Sequence, residues 1–352
     1  MDESVRRYLK RQGIVLCLDI GSATQDVLLA CPDLGCDNWP RFVLPSPARA
    51  LAGRIRQLTQ ARADIWLYGS TMGRGFEAAV TEHAAAGLRV YSTHGASRAL
   101  NDDPDLVEKL GVQFSEIPPF GAVPVKLADY SSDFWAAFLR MVELPTPRQV
   151  LAAAQDHGGL HPKSDRFGRI KNWMDLIAVD LVPSHWIYTQ APDNLTRLRA
   201  LQQSTAGPVA DTAIAALLGL LCVPEILERS FRQGITLINA GNRHTVAALV
   251  YRGEMRAIYE HHTVMRTKED LEKDLHEFRL GWLPAELVQA SGGHGTAYAT
   301  PCAEAGGYEP TFILGPQRDR FHGLGSFVAP FGDMTFAGCF GLLWGMAHSD
   351  IL

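Results

Sequence analysis

The stretch VLCLDIGSATQDVLLA (15–30) decides the fold. Two apolar runs flank a glycine turn, and a carboxylate, Asp19, ends the first run two positions before Gly21. Apolar runs of this length around a small-residue turn predict a buried strand, a tight reversal and a second, antiparallel strand. A charge at the end of a buried strand is costly unless donors or a cation meet it. The arrangement returns in LINAGNRHTVAALV (237–250). Setting Asp19 on Asn239 and Gly21 on Gly241 superposes LDIGSATQDVLLA on INAGNRHTVAALV, which predicts an internal duplication of one domain type.

Working outward from the first hairpin, RFVLPSP (41–47) reads as a third short strand ended by prolines, and a helix with Leu51, Ile55 and Leu58 on one face follows. IWLYGS (65–70) and RVYSTH (89–94) read as further strands separated by the helix FEAAVTEHAAAG (76–87). Short turns make the first three strands antiparallel, and helical connections make the later ones parallel. The second half repeats the order: ITLINAG (235–241), HTVAALVYRG (244–253) and EMRAIYEHHT (254–263) as strands, KEDLEKDLHEFRLG (268–281) as a helix, ELVQAS (286–291) and TFILGP (311–316) as strands, and MTFAGCFGLLWGMA (334–347) as a buried helix. Between the halves, QVLAAAQDHGG (149–159) reads as a strand and KSDRFGRIKNWMDLI as mostly loop with an amphipathic piece. DTAIAALLGLLCVPEILERSF reads as a long helix broken at Pro224. The expected organisation is a first domain over 1–159, a connecting segment over 160–234 and a second domain over 235–352.

The 352 residues are 47% hydrophobic and 20% charged, the composition of a globular chain with ample core. A net charge of −5 argues against a nucleic-acid partner. Arg6, Arg7, Lys10 and Arg11 read as the solvated face of an N-terminal helix. No apolar run reaches the roughly 20 residues of a membrane span, and MDESVRRYLKRQG lacks the apolar core of a signal peptide, so no membrane partner and a cytoplasmic location are expected. The six cysteines form no CxxC pair and are expected as buried thiols.

Two halves that each open on a glycine hairpin resemble the superfamily of acetate and sugar kinases, heat-shock ATPases and actin. The resemblance implies an α/β fold of two duplicated ribonuclease-H-like domains, with mixed sheets flanked by helices and a cleft between them. Within it, DIGSATQD, VLPSP, GSTMGRG, AQDHG, NAGNRHT, YEHHT, GGHG and PFGDMTFAGCFGLL are similar to a prokaryotic family labelled as pyruvate formate-lyase activating enzyme-like. A radical enzyme of that label holds an iron–sulfur cluster with three closely spaced cysteines; no such run occurs, so neither the cluster nor that activity is expected. The superfamily resemblance implies ATP and Mg²⁺ as cofactors. LDIGSATQD looks like the first phosphate loop, with Gly21, Ser22, Thr24 and Gln25 against phosphate and Asp19 as the magnesium-holding and catalytic carboxylate. NAGNRHT looks like the second, with Gly241, Asn242, His244 and Thr245. Asn239 stands where an acidic residue is usual, which implies weaker cation binding and slow turnover. GGHG, with Gly292, Gly293 and Gly295 after the strand ELVQAS, looks like a loop that lets adenosine approach backbone.

Phosphoryl transfer also needs a base near the acceptor. Asp156, at a strand end, is the candidate, with Gln155 and His157 orienting substrate or water. Arg74 and His262 are candidates for an anionic substrate. Three readings stay open. One is a kinase for a small molecule, and another a nucleotide-binding activator or regulator of a client enzyme. The third is a metal enzyme using His157, His161, His244, His261, His262 and His294, with Asp156 or Glu260 as carboxylate ligand.

Overall fold

Each half is built around its glycine hairpin, and the two hairpins have the same register. In the computed structural model, which describes residues 2–101, 103–158 and 165–349, helix α1 (Glu3–Gln12) precedes strands β1 (Val15–Ile20), β2 (Thr24–Ala30) and β3 (Arg41–Pro45). An inserted unit follows: α2 (Pro47–Gln60), β4 (Ile65–Gly69), α3 (Glu77–Ala85), β5 (Val90–Ser92), α4 (His94–Ser97), α5 (Pro104–Lys109), β6 (Val112–Phe114), β7 (Val123–Leu127) and α6 (Ser132–Met141). The first half closes with β8 (Gln149–Ala154), α7 (Asp165–Val179), β9 (Ile187–Tyr188), α8 (Thr196–Thr205), β10 (Val209–Ala210), α9 (Thr212–Leu221) and α10 (Pro224–Arg232). The second half holds β11 (Ile235–Ala240), β12 (His244–Tyr251), β13 (Glu254–His262), α11 (Lys268–Arg279), α12 (Ala285–Ala290), β14 (Gly295–Tyr298), β15 (Thr311–Leu314), β16 (Ser326–Phe327) and α13 (Ala337–His348).

The first sheet runs β3-β2-β1-β8-β10-β9 and the second β14-β13-β12-β11-β15-β16. In both, three antiparallel strands continue into two parallel ones. The chain is therefore a duplicated ribonuclease-H-like α/β protein, and β1, β2, β3, β8, β10 correspond to β11, β12, β13, β15, β16. Ile20 pairs with Gln25 as Ala240 pairs with Thr245. The turns close alike, with Gly21 N–H donating to Thr24 O at 2.9 Å and Gly241 N–H to His244 O at 3.0 Å. β1 and β11 share one burial pattern, covered on both faces except for a half-buried fifth residue: Asp19 and Asn239.

Three expectations need correcting. The strands IWLYGS and RVYSTH do not extend the first sheet; with β6 and β7 they form a separate parallel sheet, β6-β5-β4-β7, with its own core around Ile65, Leu67, Val90 and Val125. The strand equivalent to β15 is β8, so the one-to-one repeat of order is interrupted by this insertion. ELVQAS falls in helix α12, which starts after Pro284 without a side-chain cap, and the strand begins at Gly295, the last residue of GGHG, instead of preceding that loop. Residues read as mostly loop form α7, whose Ile170, Trp173 and Ile177 are buried at helical spacing. Helix α2 follows expectation: Ser46 caps it, Pro47 opens it, and Leu51, Ile55 and Leu58 are buried.

The halves share a core that includes Leu16 and Leu18 of β1, Leu237 of β11 and most of α9 and α13. The last helix thus packs against the first sheet, although it follows the second in sequence. Glycines let α9 and α13 touch backbone to backbone: a Cβ on Gly341 would run into Ala215 O, and one on Gly219 into Ala337 O. Among the described residues no helix is long and apolar enough to cross a membrane. The six cysteines are free thiols; Cys36 and Cys302 are half-buried and the rest buried. Arg6, Arg7, Lys10 and Arg11 lie on the exposed face of α1. A Gly341→Leu substitution is expected to lower stability by about 1–3 kcal/mol through overpacking, read as a lower urea midpoint at unchanged m-value.

Candidate functional site

Both glycine turns line one cavity of ≈ 760 Å³ between the halves. The first turn contributes Gly21, Ser22 and Thr24, the second Gly241, Asn242 and His244. Each is braced from outside. The Ser46 hydroxyl donates to Ser22 O at 3.0 Å, and the Thr263 hydroxyl to Gly241 O at 2.7 Å. Thr245 is fully buried behind its turn, with its hydroxyl 3.1 Å from that of Thr263, and does not line the cavity. Gln25 is likewise turned away: its amide donates to Pro45 O at 3.2 Å. In GGHG only His294 lines the cavity. Gly292, Gly293 and Gly295 make room for Met265, for His261 with Val288, and for Ile170 with Ala285. Their smallness serves packing of α7 and α12, not approach of a ligand.

Asp19 sits at the cavity end of β1, and the Thr212 hydroxyl donates to it at 2.5 Å from the first turn of α9. Gly338, in the first turn of α13, is pressed against the Asp19 carboxylate so closely that a Cβ would collide with it. Burial pushes the Asp19 carboxyl up to about 6, against the hydrogen bond from Thr212 and with the charge of Asp211 adding to the rise. Its cross-strand partner Asp26 also lines the cavity and is pushed up to about 7, by burial first and then by Asp19 and Asp333. Sequence reasoning missed Asp26; the available signal was a carboxylate inside the apolar strand QDVLLAC. Asp333 caps the turn before α13, accepting from Thr335 N–H at 2.9 Å.

The opposite wall is organised by Arg169 of α7, which is buried. Its guanidinium pairs with Asp211 at the start of α9, and with Glu260 of β13 at 2.9 Å. It also donates to Asp156 O at 2.6 Å. Trp173 Nε1–H donates to Glu260 at 2.9 Å. Burial alone would raise the Glu260 carboxyl, but the Arg169 charge, with His294 and His244, holds it well below the usual carboxylate range. Asp156, the candidate base, is buried with both oxygens engaged by backbone: one accepts from Gly158 N–H at 2.8 Å and the other from Leu198 N–H at 2.9 Å. It anchors the start of α8, and burial raises its pKa. A second buried pair, Arg197 with Asp129 at 2.7 Å, ties α8 to the inserted sheet, where Asp129 also accepts from Gly73 N–H at 3.1 Å. Arg74 lies beside it, exposed on the cavity rim. None of the carboxylate partners of Arg169 or Arg197 could be paired from sequence, because they lie 42 to 91 residues away.

Histidines converge on the same wall. His244 and His262 are cross-strand partners on β12 and β13, and His294 enters from the loop before β14. The ring centroids are 4.7 Å apart for His244 and His262, 4.9 Å for His244 and His294, and 5.1 Å for His262 and His294. His157 adds a fourth ring, 5.8 Å from His294. Gln155 Nε2 lies 3.0 Å from His244 Nδ1 and 3.4 Å from Glu260 Oε1. Burial first, with the Arg169 charge, lowers His157 to about 3; burial also lowers His244 to about 3 despite Glu260. Both are neutral at physiological pH. His261 faces away from the cavity, as strand alternation requires, with Nε2 3.2 Å from Ser291 Oγ. His161 lies outside the described residues.

Fold and cavity together define a duplicated ribonuclease-H-like α/β protein with a cleft between its halves. More narrowly, the chain belongs to the family described as "Putative pyruvate format-lyase activating enzyme (DUF1786)", whose model matches residues 72–320. Comparison with the curated proteins gives no match. Similar solved structures include the ethanolamine utilization protein EutJ from Carboxydothermus hydrogenoformans, at 10% identity over 94% of this chain and 88% of that one, TM-score 0.32. An inorganic polyphosphate/ATP-glucomannokinase from Arthrobacter sp. strain KM is similar at 13% identity over 96% and 99%, TM-score 0.35. The psk41 ParM protein is similar at 8% identity over 96% and 98%, TM-score 0.34. Likenesses at these scores say nothing about activity.

Two outcomes test this arrangement. Arg169→Met leaves Asp211 and Glu260 buried without their cation, and is expected to cost about 3–5 kcal/mol in urea unfolding. Asp26 binds its proton more tightly folded than unfolded, so its ionisation drains stability as pH rises from about 4 to about 7. Asp26→Asn is therefore expected to match the unsubstituted chain near pH 4 and to melt above it at pH 8, in parallel thermal scans.

Proposed function

We propose that this chain binds a nucleoside triphosphate, ATP foremost, with its polyphosphate between the two glycine turns, and transfers or hydrolyses the terminal phosphoryl group. The observation that carries the reading is that the turns, 220 residues apart and built alike, line one cavity. Backbone N–H groups at such turns suit phosphate oxygens. Neighbouring Asp19 and Asp26 suit a hydrated Mg²⁺: burial disfavours their ionisation, and a cation would restore it. The ion would neutralise phosphate charge. The chain's own residues would position the phosphates: the turns from two sides, and His244 from the end of the second. Arg74 and the exposed Arg98 on the rim favour an anionic acceptor or partner.

Slow turnover is part of this reading. Asn239 offers no charge at the position equivalent to Asp19, and the Asp156 carboxylate is tied to backbone. Both favour a nucleotide-dependent regulator whose client enzyme completes the reaction, over a kinase that works alone on a small molecule.

The test is a thermal shift of the full chain with ATP, ADP and a non-hydrolysable analogue, with and without Mg²⁺. Saturation at 100 times Kd adds about 2.7 kcal/mol to stability, so a clear rise in Tm is expected with ATP and Mg²⁺. Asp19→Asn should keep its fold and lose the magnesium-dependent part of the rise. No shift of the unsubstituted chain at millimolar nucleotide would overturn the reading.

A further inference from the structure

The histidine wall does not follow from a nucleotide site, and its geometry has its own consequence. His244, His262 and His294 each offer a ring nitrogen, and these three atoms all lie within 4.8 Å of one another. Nitrogens around a closed tetrahedral ion with bonds of 2.0–2.1 Å stand about 3.3 Å apart. Side-chain rotations of roughly an ångström therefore separate this arrangement from a formed coordination sphere. Among the described residues it is the only group of three metal-ligating side chains.

We propose that His244, His262 and His294 form a binding site for one divalent first-row transition metal of the zinc type, facing the cavity beside the second glycine turn. Three imidazoles and no thiolate select such an ion over Mg²⁺ or Ca²⁺, which prefer oxygen. Two ligands come from directly opposed positions of β12 and β13, so their separation is fixed by the ladder. The third is held by His294 N–H donating to Glu260 O at 3.0 Å. Three protein ligands on a cavity wall leave a fourth position for water or a ligand oxygen, the pattern of a reactive ion and not of a structural one.

Gln155 positions the site. Its amide contacts His244 Nδ1, while His244 Nε2 is buried without a hydrogen-bond partner. When Gln155 Nε2 donates to Nδ1, the proton of the neutral ring sits on Nε2. Turning the amide by half a rotation presents its oxygen to an Nδ1–H and leaves a lone pair on Nε2. The turn gives up the 3.4 Å contact with Glu260 and sets the amide oxygen facing that carboxylate, a repulsion that the new metal–Nε2 bond must outweigh. This inference goes beyond the nucleotide reading and does not need it.

The experiment uses the full chain without a polyhistidine tag, stripped of metal and titrated with Co²⁺ in the absence of nucleotide. One equivalent is expected to bind, with the visible absorption of low-coordinate cobalt, and Zn²⁺ should displace it. His244→Ala, His262→Ala and His294→Ala should each weaken binding at least tenfold. The exposed His276→Ala should not. Gln155→Leu should weaken it 10- to 100-fold, as loss of an orienting partner does. If a variant melts early in metal-free buffer, the cobalt stoichiometry and spectrum of the unsubstituted chain decide. No bound cobalt in that chain, or unchanged affinity in all three histidine variants, would overturn the proposal. If that chain binds no cobalt yet still shows a nucleotide-induced thermal shift, the metal proposal falls and the nucleotide reading stands by itself.

Discussion

Arg169 is the constraint on which the rest of the molecule depends. Its guanidinium joins Asp211 of the first half to Glu260 of the second, and holds the end of β8 through Asp156 O. Such a group survives burial only with its charges matched and its donors used. Both conditions are met here: two carboxylates, one carbonyl and the face of Trp173, 4.7 Å from the guanidinium carbon. The alignment of the halves, and with it the distance between the glycine turns, is thus fixed by a contact that has no apolar substitute of the same directionality. Arg197 and Asp129 repeat the solution where the inserted sheet meets the first half.

Legibility from sequence followed the range of the interactions. The two hairpins could be read, and even their register, because a glycine turn between apolar strands is a local code. The inserted sheet could not, because alternating strand and helix look the same whichever sheet they join; β4 and β5 carry no mark of choosing β7 and β6 over β1. ELVQAS was misread because its six residues hold only two large apolar side chains, at 287 and 288, too few to separate a period of 2 from one of 3.6. The stripe Ile170, Trp173, Ile177 was present in the sequence as an amphipathic piece, but the burial of Arg169 beside it was not, since a buried arginine differs from a surface one chiefly in partners that are distant along the chain.

The site was legible in outline for the same reason. Asp19, Gly21 and Gly241 belong to the local code, and they meet at the cavity. Gln25 and Thr245 immediately follow the turns, and strand alternation turns them inward, so adjacency in sequence was a poor guide to exposure. The GGHG glycines carried a familiar pattern, yet their missing side chains are needed by His261, Val288 and Ile170. The histidines were individually visible, but their convergence depends on the β12–β13 register and on a loop fixed by Glu260.

The sign of charge alternates across the cavity, and this bears on what can occupy it. Helices α9 and α13 both begin there, with Thr212, Ala213, Ala337 and Gly338 on its wall. Their dipoles make that end electropositive, although Ala213 N–H is already capped by the Asp211 carboxylate and Ala337 N–H bonds Met334 O. Between them stand Asp19 and Asp26, which burial makes reluctant to ionise. A lone anion would meet the helix starts favourably and the carboxylates unfavourably; a lone cation would meet the reverse. A polyphosphate carrying its own divalent cation satisfies both, since each partner covers the charge the other would offend. That match arises from α13 crossing back to the first half, where Gly338 lets its first turn close on Asp19 without a Cβ between them.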